Sequence, residues 1–183
     1  MQRRAAGRVN RYRSLDLETV ISVSSTSPAD TGELARALAA MAEPGDVLAL
    51  IGDLGAGKTA FSKAYGAELG VTEPITSPTF TLARQYEGRL RLHHLDVYRL
   101  EQMAEVLDLD LPDLLDGDDV VLIEWGDAIM PMLPADFLEV RFTFGQGDDD
   151  RTIELRPVGE RWISRADEIA ARIGAETSGD TSC

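Results

Sequence analysis

From Val20 onward the chain reads as short apolar runs alternating with helical stripes. "VISVSS" (Val20 to Ser25) has the length and composition of a short strand. In "SPADTGELARALAAMAEPG", Leu34, Leu38 and Met41 fall on one stripe, which predicts a helix. Ser27 or Asp30 can cap its start, and Pro44-Gly45 ends it. "DVLALIG" (Asp46 to Gly52) is apolar and bounded by turn residues, the pattern of a buried strand. "KTAFSKAYGAELG" follows, with Phe61, Tyr65 and Leu69 at helical spacing and Gly70 as a stop.

The second half is richer in strands. Thr79 to Leu100 predicts a hairpin turning at Glu87-Gly88, with Leu90, Leu92, His94 and Asp96 on one face of its second arm. "EQMAEVLDLDLPDLLDGDD" predicts one or two short helices, and the aspartates from Asp108 to Asp119 a solvated surface. "VVLIEWG" (Val120 to Gly126) opens with four apolar residues in a row, which predicts a central strand covered on both faces. "FLEVRFTFG" and "RTIELRPVG" predict a late hairpin, and "ERWISRADEIAARIG" a final helix. There is no internal repeat. Alternating helices and strands in the first half argue for α/β layers. Residues 18–174 are expected to form one domain, between a basic, disordered arm at 1–17 and a disordered tail at 175–183.

Composition changes this picture at a few points. The 183 residues suffice for one well-buried domain. No apolar run is long enough to span a bilayer, and the arginine-rich start lacks the apolar core of a secretory signal. With Cys183 as its one cysteine, the chain has no intrachain disulfide and no cysteine metal cluster. A soluble cytoplasmic protein is expected. Net charge is −14, and once Arg3, Arg4, Arg8, Arg11 and Arg13 are set aside the rest carries −19. So acidic a body repels a nucleic-acid backbone.

Gly52-x-x-x-x-Gly57-Lys58-Thr59 has the full P-loop spacing, after a predicted strand and before a predicted helix. Glycines let backbone N–H groups approach oxygens closely, and a helix start adds its own. Lys58 is placed to reach the β- and γ-phosphates of a nucleotide, and the Thr59 hydroxyl to bind Mg2+. Asp53, Leu54, Gly55, Ala56, Gly57, Lys58, Thr59 and Ala60 are the candidate nucleotide contacts. Such a loop also needs an acid at the end of a neighbouring buried strand, to serve the metal ion or an attacking water. Glu124 ends the most buried-looking strand, where an unpaired acid is costly. Asp96 ends the hairpin strand, where it could instead cap a turn. Thr76, Ser77, Pro78 and Thr79 form a hydroxyl-rich segment where switch NTPases sense the γ-phosphate; on spacing alone it could be an ordinary loop. His93 and His94 point to opposite faces, so a packed or surface role is expected for both. Trp125 could lie against a base or fill a core gap.

"GDLGAGKT", "SPTF", "HLDVYRL" and "IEWGD", in this order, resemble the bacterial TsaE family over about residues 20 to 165. The resemblance implies a single P-loop NTPase domain of α/β class, mainly parallel in its sheet, with flanking helices and a hairpin. It implies a small ATPase using ATP and Mg2+, supporting threonylcarbamoyladenosine formation in tRNA with TsaB and TsaD, and touching tRNA only through that complex. It assigns Lys58 and Thr59 the P-loop roles, Glu124 a magnesium-linked role, Asp96 a role in hydrolysis, and Trp125 a place beside the site. Two positions depart from the family pattern. Ala60 stands where a second hydroxyl is common, removing a contact to the α-phosphate, and Asp127 stands for a commoner glutamate. By the same analogy the segment from Ser24 to Thr31 is a candidate neighbour of adenine. A small kinase and a nucleotide-gated scaffold without turnover remain alternatives. A GTPase is disfavoured, because Asp96 is followed by Val-Tyr-Arg and the chain has no N-K-x-D.

Overall fold

The computed structural model describes residues 19–78, 82–98, 111–174 and 177–178. The predicted arm, most of the predicted tail, Thr79 and residues 99–110 lie outside them. The strands are β1 (Val20–Ser25), β2 (Val47–Ile51), β3 (Ala83–Tyr86), β4 (Leu92–Asp96), β5 (Val120–Glu124), β6 (Phe137–Phe144), β7 (Arg151–Val158) and β8 (Thr177–Ser178). The α-helices are α1 (Pro28–Ala40), α2 (Lys58–Glu68), α3 (Leu111–Leu115), α4 (Glu160–Ile163) and α5 (Ala166–Ile173). A 3-10 segment covers Gly126–Met132.

The strands form one sheet in the order β3-β4-β5-β2-β6-β7-β1-β8. Its middle is parallel: β4 pairs with β5, β5 with β2 and β2 with β6. The remaining pairings are antiparallel, so the sheet as a whole is mixed. All five residues of β2 and all five of β5 are buried, as their unbroken apolar runs require of strands covered on both faces. One face packs Leu48, Leu50, Val120 and Leu122 against α1, α2 and α5, through Leu34, Leu38, Phe61, Tyr65 and Ile169. The other packs Val47, Ala49, Val121 and Ile123 against Leu111, Leu115 and Ile129. These are three layers, with helices on both sides of a sheet.

α1 begins as its sequence predicts. Ser27 is the N-cap, its hydroxyl accepting from Asp30 N at 3.2 Å, while the Asp30 carboxylate accepts from Thr26 N at 2.8 Å. The predicted final helix is in fact two, α4 and α5, broken at Ser164–Arg165. The break coincides with a long-range contact. The Arg165 guanidinium donates to the Asp46 carboxylate at 2.8 Å and to Met41 O at 2.7 Å, both more than a hundred residues earlier in the chain. No helix among the described residues is long and apolar enough to cross a membrane.

Candidate functional site

The loop after β2 bends sharply before α2 begins. Gly57 caps α2 at φ +113°, in the left-handed region where a side chain is disfavoured. At Gly52, a Cβ would stand 2.7 Å from the Phe142 carbonyl. The glycine positions of the motif are thus demanded by backbone geometry as well as by any ligand.

The loop borders a cleft of about 410 Å³, lined on its other side by Ser77, Asp96, Tyr98, Glu124 and Trp125. The parallel register explains this convergence. Asp96 pairs with Glu124 and Glu124 with Leu50, so three neighbouring strands end level beside the loop. That is the usual ligand position in an open α/β sheet.

Lys58 opens α2 with its side chain turned back over the loop. Its ammonium donates to Gly52 O at 2.5 Å and Asp53 O at 2.9 Å, and lies 3.8 Å from the centre of the Trp125 ring. Burial pulls this lysine below its ordinary pKa, against the carboxylates of Glu124, Asp96, Asp127 and Asp53, which favour the charged form. Trp125 is held in the left-handed region at φ +61° and also packs on Tyr98, with ring centres 4.7 Å apart. The sequence allows Trp125 to lie against a base or fill a core gap; it stands half-buried beside the lysine.

Glu124 is buried, and both its oxygens have partners. Thr59 Oγ1 donates to Oε2 at 2.9 Å, while His94 Nε2 stands 2.8 Å from Oε1 and Ser62 Oγ 3.3 Å from it. Asp96, also buried, accepts from Ser77 Oγ at 2.7 Å and from Tyr98 N at 3.2 Å. Of the predicted switch-like segment, Ser77 lines the cleft, Pro78 is buried and Thr76 is exposed. Leu54 is 78% exposed at the loop tip. Ala60 is exposed and offers no hydroxyl.

Three residues at the site were not picked out from sequence. The sequence predicts a packing or surface role for His94; it is packed, and it also meets Glu124. Its signal was the strand alternation that sets it on the same face as Asp96. Ser62 lies one helical turn beyond Thr59, a spacing that puts both hydroxyls on one side of α2. Arg151, at the start of β7, donates to Ala56 O at 3.1 Å and Gly55 O at 3.3 Å. No local signal marks it. Arg151, Asp149, Pro28 and Thr31 border a second cleft of about 270 Å³, which Gly55, Ala56 and Gly57 also line.

Buried strand, glycine loop and lysine-started helix make this an α/β domain of the P-loop class. The family model described as threonylcarbamoyl adenosine biosynthesis protein TsaE matches residues 25–153, and the chain belongs to that family. It is 43% identical over 145 residues to the tRNA threonylcarbamoyladenosine biosynthesis protein TsaE of Bacillus subtilis, a match covering 79% of this chain and 90% of that protein. It is 39% identical over 139 residues to the protein of the same name in Streptomyces coelicolor, covering 72% and 93%. Its structure is similar to the crystal structure of YdiB from Bacillus subtilis, with a TM-score of 0.73 at 37% identity, covering 83% of this chain and 95% of that one.

Proposed function

We propose that the chain is a Mg2+-dependent ATP-binding and ATP-hydrolysing subunit that supports tRNA threonylcarbamoyladenosine formation by TsaB and TsaD in the cytoplasm. The observation that carries this reading is the Thr59–Glu124 contact of 2.9 Å at the floor of the loop cleft, with Asp96 level on the adjoining strand. A hydroxyl and a carboxylate are hard oxygen ligands, and Mg2+ takes one or two carboxylates and completes its shell with water and phosphate. Thr59 and Glu124 fit that demand and are the residues that would hold it. Magnesium, when bound, neutralises charge on the β- and γ-phosphate oxygens.

The chain's own groups do the rest. Backbone N–H groups of the loop and the start of α2 bind the phosphates. Lys58 exchanges the carbonyls of Gly52 and Asp53 for phosphate oxygens and offsets charge that develops during transfer. Asp96, held by Ser77 and the Tyr98 N–H, orients the attacking water or couples the γ-phosphate to Ser77 and the segment around it. The second cleft, beside Pro28 and Thr31, is where the nucleoside end would lie. The acidic body favours protein partners, so tRNA is met through the complex.

The test is nucleotide turnover by the purified chain, alone and with TsaB and TsaD, with GTP as control. Slow ATP hydrolysis that rises at least tenfold with the partners is the expected result. ATP binding that the partners leave unstimulated overturns it in favour of a kinase or a scaffold without turnover.

A further inference from the structure

His94 is wholly buried on β4, two residues before Asp96. Pairing with β5 sets it opposite Leu122, on the face that also carries Glu124. Nε2 lies 2.8 Å from Glu124 Oε1, whereas Nδ1 has no hydrogen-bond partner among the described residues. A proton on Nδ1 would leave a buried donor unpaired and set a bare nitrogen against a carboxylate oxygen. A proton on Nε2 leaves only a bare acceptor unpaired, so His94 donates to Glu124. Ser62 is a weaker claimant on the same oxygen. Its one hydroxyl proton serves either Glu124 at 3.3 Å or Lys58 O at 3.1 Å. The two oxygens of Glu124 are therefore unlike: Oε1 is held from within the sheet, and Oε2 faces Thr59.

We propose that His94 is a positioning residue that sets the affinity of the cleft for the divalent cation accompanying the nucleotide. This rests on the reading of Thr59 and Glu124 as the pair that holds that cation. The terminal torsion of a glutamate is broad and nearly two-fold, so an unanchored carboxylate exchanges its oxygens and swings off axis. A histidine N–H on Oε1 removes that freedom and presents Oε2 to the Thr59 side. Partners of this kind, one step removed from a metal, typically change affinity about 10–100-fold.

The experiment compares His94→Asn with His94→Gln. The glutamine amide reaches about as far as Nε2 and can still donate to Glu124, while the shorter asparagine stops at the position of Nδ1. ATP affinity is measured in EDTA and at rising Mn2+, and Mn2+ uptake by the ATP-loaded protein is followed by electron paramagnetic resonance. His94→Asn is expected to need about tenfold more Mn2+ for half-saturation, with ATP affinity in EDTA within about twofold of wild type. His94→Gln is expected to recover to within about threefold. Equal loss of ATP affinity with and without metal would reduce His94 to packing and overturn the proposal, as would an unchanged Mn2+ requirement in His94→Asn. If either variant fails to fold, nitrogen-15 spectra of the wild-type protein decide, since only two histidines need assigning. They should show His94 carrying a proton on Nε2; a bare Nε2 overturns the proposal. Wild-type ATP affinity that ignores Mn2+ and Mg2+ would sink the cation pair itself. A metal-dependent wild type with an indifferent His94→Asn sinks only the role of His94.

Discussion

The Lys58 ammonium lies over the indole of Trp125, 3.8 Å from the ring centre. Lys58 opens α2 and Trp125 directly follows β5, and both line the cleft. Phosphate oxygens would compete with both the ring and the loop carbonyls for this cation. Nucleotide binding is therefore expected to change Trp125 emission. The other tryptophan, Trp162, is buried against Arg165, does not line the cleft and should stay silent. Lys58→Ala should abolish the fluorescence response and weaken ATP binding at least tenfold, read by titration of the intrinsic signal.

The same lysine predicts two pH effects of opposite sign. Burial lowers its pKa in the fold, so the neutral form takes over at a lower pH than for an ordinary lysine. ATP affinity should fall as pH rises through that lowered value, before the ordinary lysine range of about 10.4. Stability moves the other way. Between the lowered folded value and the ordinary unfolded one, the unfolded chain binds more protons, so this group's contribution to stability rises with pH. Measurements of affinity and of urea midpoint across alkaline pH, for wild type and Lys58→Met, separate the two.

Asp96 and Glu124 should fail differently. Asp96→Ala is expected to keep ATP affinity within about threefold and lose turnover about 100-fold, the lower range for a positioned acid or base. Glu124→Gln should raise the Mg2+ requirement as well as slow turnover. A fall in ATP affinity for Asp96→Ala, measured by calorimetry, would make it a binding or packing residue.

Asp46 is fully buried at the entrance to β2, and its carboxylate accepts from Arg161 at 3.0 Å, Arg165 at 2.8 Å and Glu43 N at 3.0 Å. Removing one member of a buried ion pair typically costs about 3–5 kcal/mol. Arg161 is partly exposed, so the lower end applies to Asp46→Asn, about 3 kcal/mol, checked by denaturant unfolding.

What could be read from the chain was local. β1, β2, β5 and the late hairpin show as apolar runs, α1 shows through Ser27 and its stripe, and the loop is announced by its glycines and its neighbours. Glu124 and Asp96 stood out because acids at the ends of buried strands need a reason to be there. The relationships that escaped are set by register and by distance along the chain. His94 meets Glu124 thirty residues away only because β4 and β5 run parallel and level. Arg151 reaches Ala56 through a hairpin ninety-five residues downstream. The break before α5 falls where Arg165 reaches Asp46 and Met41, contacts that no helical periodicity reports.

The grip on Asp46 also has a consequence for the order in which the molecule can be made. Its two arginines lie 115 and 119 residues further along the chain. A ribosome delivers β2, the loop and α2 long before it delivers Arg161 and Arg165. Until those arrive, Glu43 N is the only one of the three donors already present beside the Asp46 carboxylate. The full set of partners around Asp46, at the entrance to the strand that leads into the loop, is therefore complete only after the last helices have been made.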